Sequence, residues 1–248
     1  MTNLFDAISR YYDLLYEEKD SLSESRYVDS LLRKYGSQVK SILEFGSGTG
    51  RHASHFVELG YQVHGIERSS KMVNNAKNIE GFICEQGDIT KFDLRREFDA
   101  IISLFHVFSY QIENSQVQSI LNNARKHLIK GGLFIFDVWY SPAVIFQEPS
   151  LRVKRLSNSE ISITRIAEPI SYPNENKVEV NYTFFVQNKN NGEYQTFTEK
   201  HPMRHFSIPE LEFFASQSGF KLIKTEEWLT GESPSEKTWG VCFVLEKT

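Results

Sequence analysis

Cysteine is scarce in this sequence: Cys84 and Cys242 are the only two in 248 residues. That is too few for a disulfide framework, and no Cys/His group has zinc-ligand spacing. A reducing compartment is the default, and both thiols read as buried packing residues in strands. A basic surplus is also missing. Twenty-eight Lys and Arg face 32 Asp and Glu, for a net charge of −4, whereas nonspecific nucleic-acid binding needs a net basic surface. The longest apolar runs are strand-sized, far short of the ~20 residues of a membrane span. The stretch 1–20 lacks the basic-then-apolar order of a secretory signal. Internal repeats and low-complexity tracts are absent. What remains is 40% hydrophobic, 24% charged and 13% aromatic, the make-up of a folded globular chain and not of a disordered one. A cytoplasmic protein is expected, without nucleic-acid or membrane partners. Its length suggests one large domain or one domain carrying an insertion, able to bury roughly 70–75% of its unfolded surface.

Hydrophobic periodicity divides the chain. The first 36 residues read as helix, with Tyr11, Tyr12, Leu15, Tyr16, Tyr27, Val28, Leu31, Leu32 and Tyr35 recurring at three and four. Glu17-Glu18-Lys19-Asp20 reads as a solvated helix end. Strands are then predicted at 41–45, 61–67, 82–85, 98–104 and 133–138, with helices at 51–59, 69–78 and 116–128. Strands alternating with helices imply βαβ units and a parallel sheet covered on both faces. After Pro142 the pattern changes: 161–166, 178–187 and 194–201 look like strands without intervening helices, the last two joined by the turn Asn188-Lys189-Asn190-Asn191-Gly192. A helix returns at Ser207 with Glu210 three residues on, a capping box, and two strands close the chain. The expected division is a helical cover (1–36), an α/β core (37–141 and 207–248) and a β-meander substrate cover (142–206).

The sharpest signal is Glu44-Phe45-Gly46-Ser47-Gly48-Thr49-Gly50, between a strand and a helix. Glycines there permit a tight turn and close approach of a ligand to the helix N-terminus. Glu67 ends the next strand 21 positions after Gly46, where Rossmann-like folds accept hydrogen bonds from ribose hydroxyls. A nucleoside-containing ligand is implied. Arg51 occupies the third-glycine slot of the dinucleotide fingerprint, which disfavours a nicotinamide oxidoreductase, and no Gly-Lys-Ser/Thr is present for a phosphate loop. Glu44 would repel a pyrophosphate but suits a ligand carrying an ammonium group.

The run from Ile42 to Asn78 resembles the first motif and following helix of class I S-adenosylmethionine-dependent methyltransferases. Gln86-Gly87-Asp88-Ile89, Phe98-Asp99-Ala100-Ile101-Ile102-Ser103 and Leu128-Ile129-Lys130-Gly131-Gly132-Leu133 resemble later motifs of that family, with Lys130 where proline is usual. The resemblance implies a seven-stranded, mostly parallel sheet with the last strand antiparallel. It implies S-adenosylmethionine as cofactor, held by Tyr16, Glu44, Gly46, Ser47, Gly48, Gly50, Glu67, Arg68, Asp88, Ile89 and Leu104. Tyr12-Asp13-Leu14-Leu15-Tyr16, and Glu199-Lys200-His201-Pro202-Met203-Arg204-His205-Phe206 after the meander, resemble the group that methylates amino groups of nucleotide-activated sugars. That likeness implies Tyr12, His106 and Tyr110 as catalytic residues, Trp139 and Arg204 on the substrate, and a nucleotide sugar as partner. The group can carry a histidine where Tyr110 stands.

Methyl transfer is an in-line displacement at a sulfonium, so alignment and exclusion of water supply most of the acceleration. An amine acceptor must only be neutral, whereas a hydroxyl is helped by a general base such as His106. N-methylation of a nucleotide-linked amino sugar is the leading expectation. O-methylation of a sugar or small metabolite is the first alternative, and a non-catalytic cofactor-binding protein of the same fold is the second. No metal is expected, and the oligomeric state is open, a homodimer included.

Overall fold

Apolar strands bounded by glycine turns assemble into two sheets. The computed structural model describes residues 11–16 and 19–248, the side chains at 12 and 13 excepted. The larger sheet has seven strands in the order β10-β11-β5-β4-β1-β2-β3. Here β1 is Ser41–Phe45, β2 Gln62–Glu67, β3 Phe82–Gln86, β4 Phe98–Ser103, β5 Leu128–Trp139, β10 Phe220–Glu227 and β11 Gly240–Lys247. β1 runs parallel to β2 and β4, β2 to β3, and β4 to β5, while β11 is antiparallel to β5 and β10. This is the mostly parallel α/β sheet expected from the alternation.

Helices α2 (Ser21–Tyr35) and α3 (Arg51–Glu58) cover one face, where Val28, Leu32, Ala53 and Phe56 meet Ile42, Ile102 and Ile135. Helices α5 (Asn114–Lys126) and α7 (Ile208–Gln217) cover the other, where Val117, Ile120 and Leu211 meet Leu43, Ile101 and Phe134. The short α4 (Ser70–Asn74) follows β2, capped by Ser69, whose side chain accepts from Met72 N. The capping box at Ser207 and Glu210 is present.

The second sheet is antiparallel, in the order β6-β7-β8-β9: Arg152–Ser157, Ile161–Tyr172, Lys177–Asn188 and Tyr194–Arg204. It has one strand more than the sequence pattern showed. β6 escaped because Arg152, Lys154 and Arg155 break its apolar alternation; it is the edge strand, where positive side chains blunt further pairing. Helix α6 (Ser141–Gln147) was also missed: Pro142 sits in its first turn, where a missing N–H costs nothing, and so starts a helix instead of marking a stop.

The N-terminal segment is not one helix. α1 covers Tyr12–Leu15 and ends before α2 begins, and Asp20 caps α2 by accepting from Ser23 N at 2.9 Å. Tyr11 and Leu15 pack on Ile163, Phe184 and Val186 of the small sheet, so this cover belongs to the meander side. Glu17 and Glu18 lie outside the described residues. Lys19 is no solvated end: it pairs with Glu24 at 2.5 Å and stands 3.8 Å over the Phe105 ring. Of the two cysteines, Cys242 is buried, but Cys84 is only partly so.

Candidate active site

The strand order reverses between β1 and β4, the place where open α/β sheets bind ligands at the C-terminal strand ends. There the chain leaves β1 through Gly46, Gly48 and Gly50, all with positive φ. A Cβ on Gly46 would stand 2.7 Å from Val107, and one on Gly50 would stand 2.5 Å from the Phe82 ring; at Gly48 nothing lies within 4 Å. Gly46 and Gly50 are therefore glycines for packing, and Gly48 opens onto space a ligand can fill. Glu67 ends β2 and ties this loop down. One of its oxygens accepts from Gly48 N at 3.0 Å and the other from Ser69 N at 2.8 Å. Burial nevertheless raises its pKa, because these backbone bonds only partly offset the loss of water.

Two further carboxylates flank Glu67. Glu44 is 1% exposed, and its Oε2 has no hydrogen-bond partner. Burial, with Glu67 adding repulsion, pushes its pKa up to about 8. On its far side His52 lies 3.8 Å away and turns instead to Glu24, at 2.7 Å. Asp88 lies at the other end, in a 190 Å³ cavity with Arg68, Ile89 and Gln116. Burial there is outweighed by the Thr90 hydrogen bonds, so the pKa of Asp88 is lowered.

Beyond Gly48 the cavity widens to about 300 Å³, walled by Tyr16, Phe105, His106, Tyr110, Trp139 and Tyr182 among others. Phe105 and His106 both adopt left-handed backbone, a strained pair that turns the chain out of β4. Asp137 on β5 holds that turn, accepting from His106 N at 3.2 Å. Nδ1 of His106 is 2.7 Å from the same carboxylate but makes no hydrogen bond to it. Tyr110 Oη is 2.7 Å from His201 Nδ1. Tyr16 packs edge-on against Phe105, with ring centroids 5.1 Å apart. Burial and then nearby Tyr182 push its pKa to about 12, so it serves as a neutral hydroxyl. His106, Trp139, Arg165 and Tyr182 also line a second, adjoining cavity of about 490 Å³, which reaches Arg152 and Trp239.

The structure thus gathers Tyr16, Gly46, Gly48, Glu67, His106, Tyr110 and Trp139 in one cavity. Ser47 and Leu104 line a small pocket beside it, with Lys19 and Arg51. The Tyr12 side chain lies outside the described residues. Arg204 is not brought to the cavity: it is buried, bound to Glu210 at 2.5 Å and to the Ile112 carbonyl, and it steadies the start of α7. Arg165 is the arginine at the cavity, and no motif marks it in the sequence. Nor was Tyr182 singled out. His201 could have been found, because Glu199, His201 and Met203 share one face of a strand by their spacing of two.

The family described as "Methyltransferase domain" matches residues 42–132. A putative methyltransferase of Geobacillus sp. (strain WCH70) is 28% identical over 98% of this chain and 99% of its own. The dTDP-3-amino-3,4,6-trideoxy-alpha-D-glucopyranose N,N-dimethyltransferase of Streptomyces venezuelae is 26% identical, covering 89% of this chain and 91% of its own. In fold, the chain superposes on S-adenosylmethionine-bound CalS10, an amino pentose methyltransferase of Micromonospora echinaspora, with a TM-score of 0.78 at 20% identity over 96% of this chain and 97% of that one. The chain carries a methyltransferase domain and has the class I fold: it is an S-adenosylmethionine-dependent methyltransferase.

The residues of this methyltransferase fit its cofactor, S-adenosylmethionine. The ligand carries an ammonium, a ribose diol and an adenine amine; Glu67 and Asp88 line the cleft, and Glu44 is buried beneath the glycine turn. Glu44, with an unpartnered buried oxygen, would take the ammonium. Glu67 would take the ribose and Asp88 the adenine end. Gly48 leaves the space between them open. Lys19 lines the small pocket beside the glycine turn, its ammonium over Phe105 and its charge balanced by Glu24.

Proposed function

We propose that this methyltransferase N-methylates an amino group of a nucleotide-activated sugar. The observation that carries the reading is the continuity of two cavities. The one that reaches Gly48 and Glu67 shares His106, Trp139, Arg165 and Tyr182 with the second, which extends to Arg152 and Trp239. A nucleotide sugar needs this length, with cations for its phosphates and aromatic faces for its base and sugar. The Streptomyces venezuelae relative, named for a dTDP-linked amino sugar, supports the same acceptor class. The bound cofactor supplies a methyl group on a cationic sulfur.

In this reading His106 and Tyr110 stand around the acceptor atom, with Tyr12 expected to join them and Tyr16 on the cofactor side. Trp139 forms the wall on which the sugar rests, and the antiparallel sheet covers the substrate. The test is a mass-spectrometric screen of nucleotide-linked amino sugars and their hydroxyl counterparts. A gain of one or two methyl groups on the amines is expected. A gain on the hydroxyl sugars alone would replace this reading with O-methylation, for which the His106–Asp137 pair would be the base.

A further inference from the structure

In the cavity wall three side chains lie in line, two of them, Tyr110 and His201, facing the cavity. Glu199 and His201 stand two residues apart on β9, hence on the same face, with side chains only 7% and 2% exposed. Glu199 Oε2 is 2.9 Å from His201 Nε2, and His201 Nδ1 is 2.7 Å from the Tyr110 hydroxyl. The Tyr182 ring packs edge-on against His201, with centroids 4.9 Å apart, and holds the imidazole in this plane. Tyr110 itself comes from the turn after β4, in the other sheet. Two separate layers of the fold are joined here by a short hydrogen-bonded chain that ends at the cavity.

We propose that Glu199 and His201 are positioning residues of a proton relay whose end, the Tyr110 hydroxyl, takes the proton of the methyl acceptor. The direction of the chain follows from its members. A carboxylate only accepts, so Nε2 carries the histidine proton and Nδ1 is left as an acceptor. Nδ1 then receives the Tyr110 O–H, which leaves the phenol oxygen as an acceptor toward the cavity. An oxygen so placed accepts an N–H of an amine and turns the nitrogen lone pair away from itself, toward the incoming methyl carbon. In the transfer, the nitrogen lone pair forms the N–C bond as the C–S bond breaks, with its electron pair left on sulfur. The N–H proton of the resulting ammonium moves to Tyr110 Oη while the phenol proton moves to His201 Nδ1. The imidazolium so formed is stabilised by Glu199, and its proton returns through Tyr110 to water once the product has left the cavity. Nucleophile–base–orienter chains of this kind recur wherever an acid fixes the tautomer of a histidine.

The relay rests on the reading that the cavity receives a methyl acceptor, and its test separates the two. Two-bond proton–nitrogen NMR on the full chain, without cofactor or acceptor, reads the His201 tautomer. A proton on Nε2 is expected, with an Nδ1 resonance that shifts when Tyr110→Phe removes its donor. A proton on Nδ1 overturns the relay whatever the enzyme methylates. Steady-state rates with the nucleotide amino sugar found by the screen follow. Tyr110→Phe is expected to lower kcat about 10²-fold or more. Glu199→Gln, which keeps size but loses charge, is expected to lower it about tenfold. Acceptor KM and cofactor Kd should stay within threefold in both, and Glu199→Asp should recover part of the loss. Wild-type kcat in Tyr110→Phe overturns the relay. A screen without any methylated amine overturns the proposed substrate instead, and the nitrogen resonances still decide the relay.

Discussion

Around Gly48 and Glu67 the cavity wall is backbone: a turn with three positive-φ glycines, pinned by a carboxylate that binds two amide N–H groups. Across from it, at Tyr110, Arg165, Tyr182 and His201, the wall consists of side chains projecting from a twisted antiparallel sheet and a strained turn. The first wall can recognise a ligand of fixed chemistry, because amide groups and a carboxylate at a strand end cannot be moved without moving the sheet. The second can be rebuilt residue by residue while the sheet stays, which suits the part of the ligand that differs among relatives. The proposed function divides accordingly, with the cofactor assigned to the rigid side and the acceptor to the adaptable one.

The largest expected effect breaks the backbone wall. Gly46→Ala must hold left-handed backbone and displace Val107, whose methyls would lie 2.7 Å away. It should lower unfolding free energy by about 2–5 kcal/mol, whereas Gly48→Ala, with open space around its Cβ, should lose only the roughly 1–2 kcal/mol of backbone strain. Denaturant unfolding of the two variants checks this; equal losses would show that close packing is not what constrains Gly46.

Next in size is Glu67→Ala: with the ribose on Glu67 as assigned, losing a charge-assisted contact of about 1.5–3 kcal/mol should weaken cofactor Kd about 10- to 100-fold. Calorimetric affinity within threefold of wild type would show that Glu67 does not touch the ribose.

Glu44 makes the same wall sensitive to pH. Its free-protein pKa is raised to about 8, so below that value it carries a proton which an incoming ammonium must displace. Cofactor affinity should therefore rise by up to tenfold per pH unit, about 1.4 kcal/mol, from pH ~6 toward ~8. It should then level as the ligand's own amine begins to lose its charge. Proton release measured in buffers of different ionisation enthalpy checks it; affinity that is flat over this range would remove Glu44 from the ammonium site.

The smallest effect sharpens the division between the walls. Arg165→Met should raise the acceptor KM roughly three- to tenfold and leave cofactor Kd unchanged. Arg204→Met should leave both unchanged and lower thermal stability, because it leaves Glu210 without its buried partner. The opposite pattern would return the substrate contact to Arg204.

Local chemistry decided much of this molecule before any folding. Alternating strands and helices, the glycine-rich turn, the acid ending β2 and the capping box at Ser207 depend on near neighbours along the chain, so the parallel sheet and the turn that opens its cleft could be read directly. Only the tertiary structure decided the rest. The edge strand β6 is held by pairing with β7 and not by its own charged sequence. Lys19 left solvent because Glu24 and Phe105 were folded against it. Arg204 turned to Glu210, and Arg165 to the cavity, for a similar reason: an arginine is long enough to choose among partners, and the choice is made by whatever the sheets bring within reach. The Glu199–His201–Tyr110 chain joins residues 91 positions apart. Spacing along β9 could suggest its first two members, but only the docking of the small sheet against the turn after β4 could supply the third.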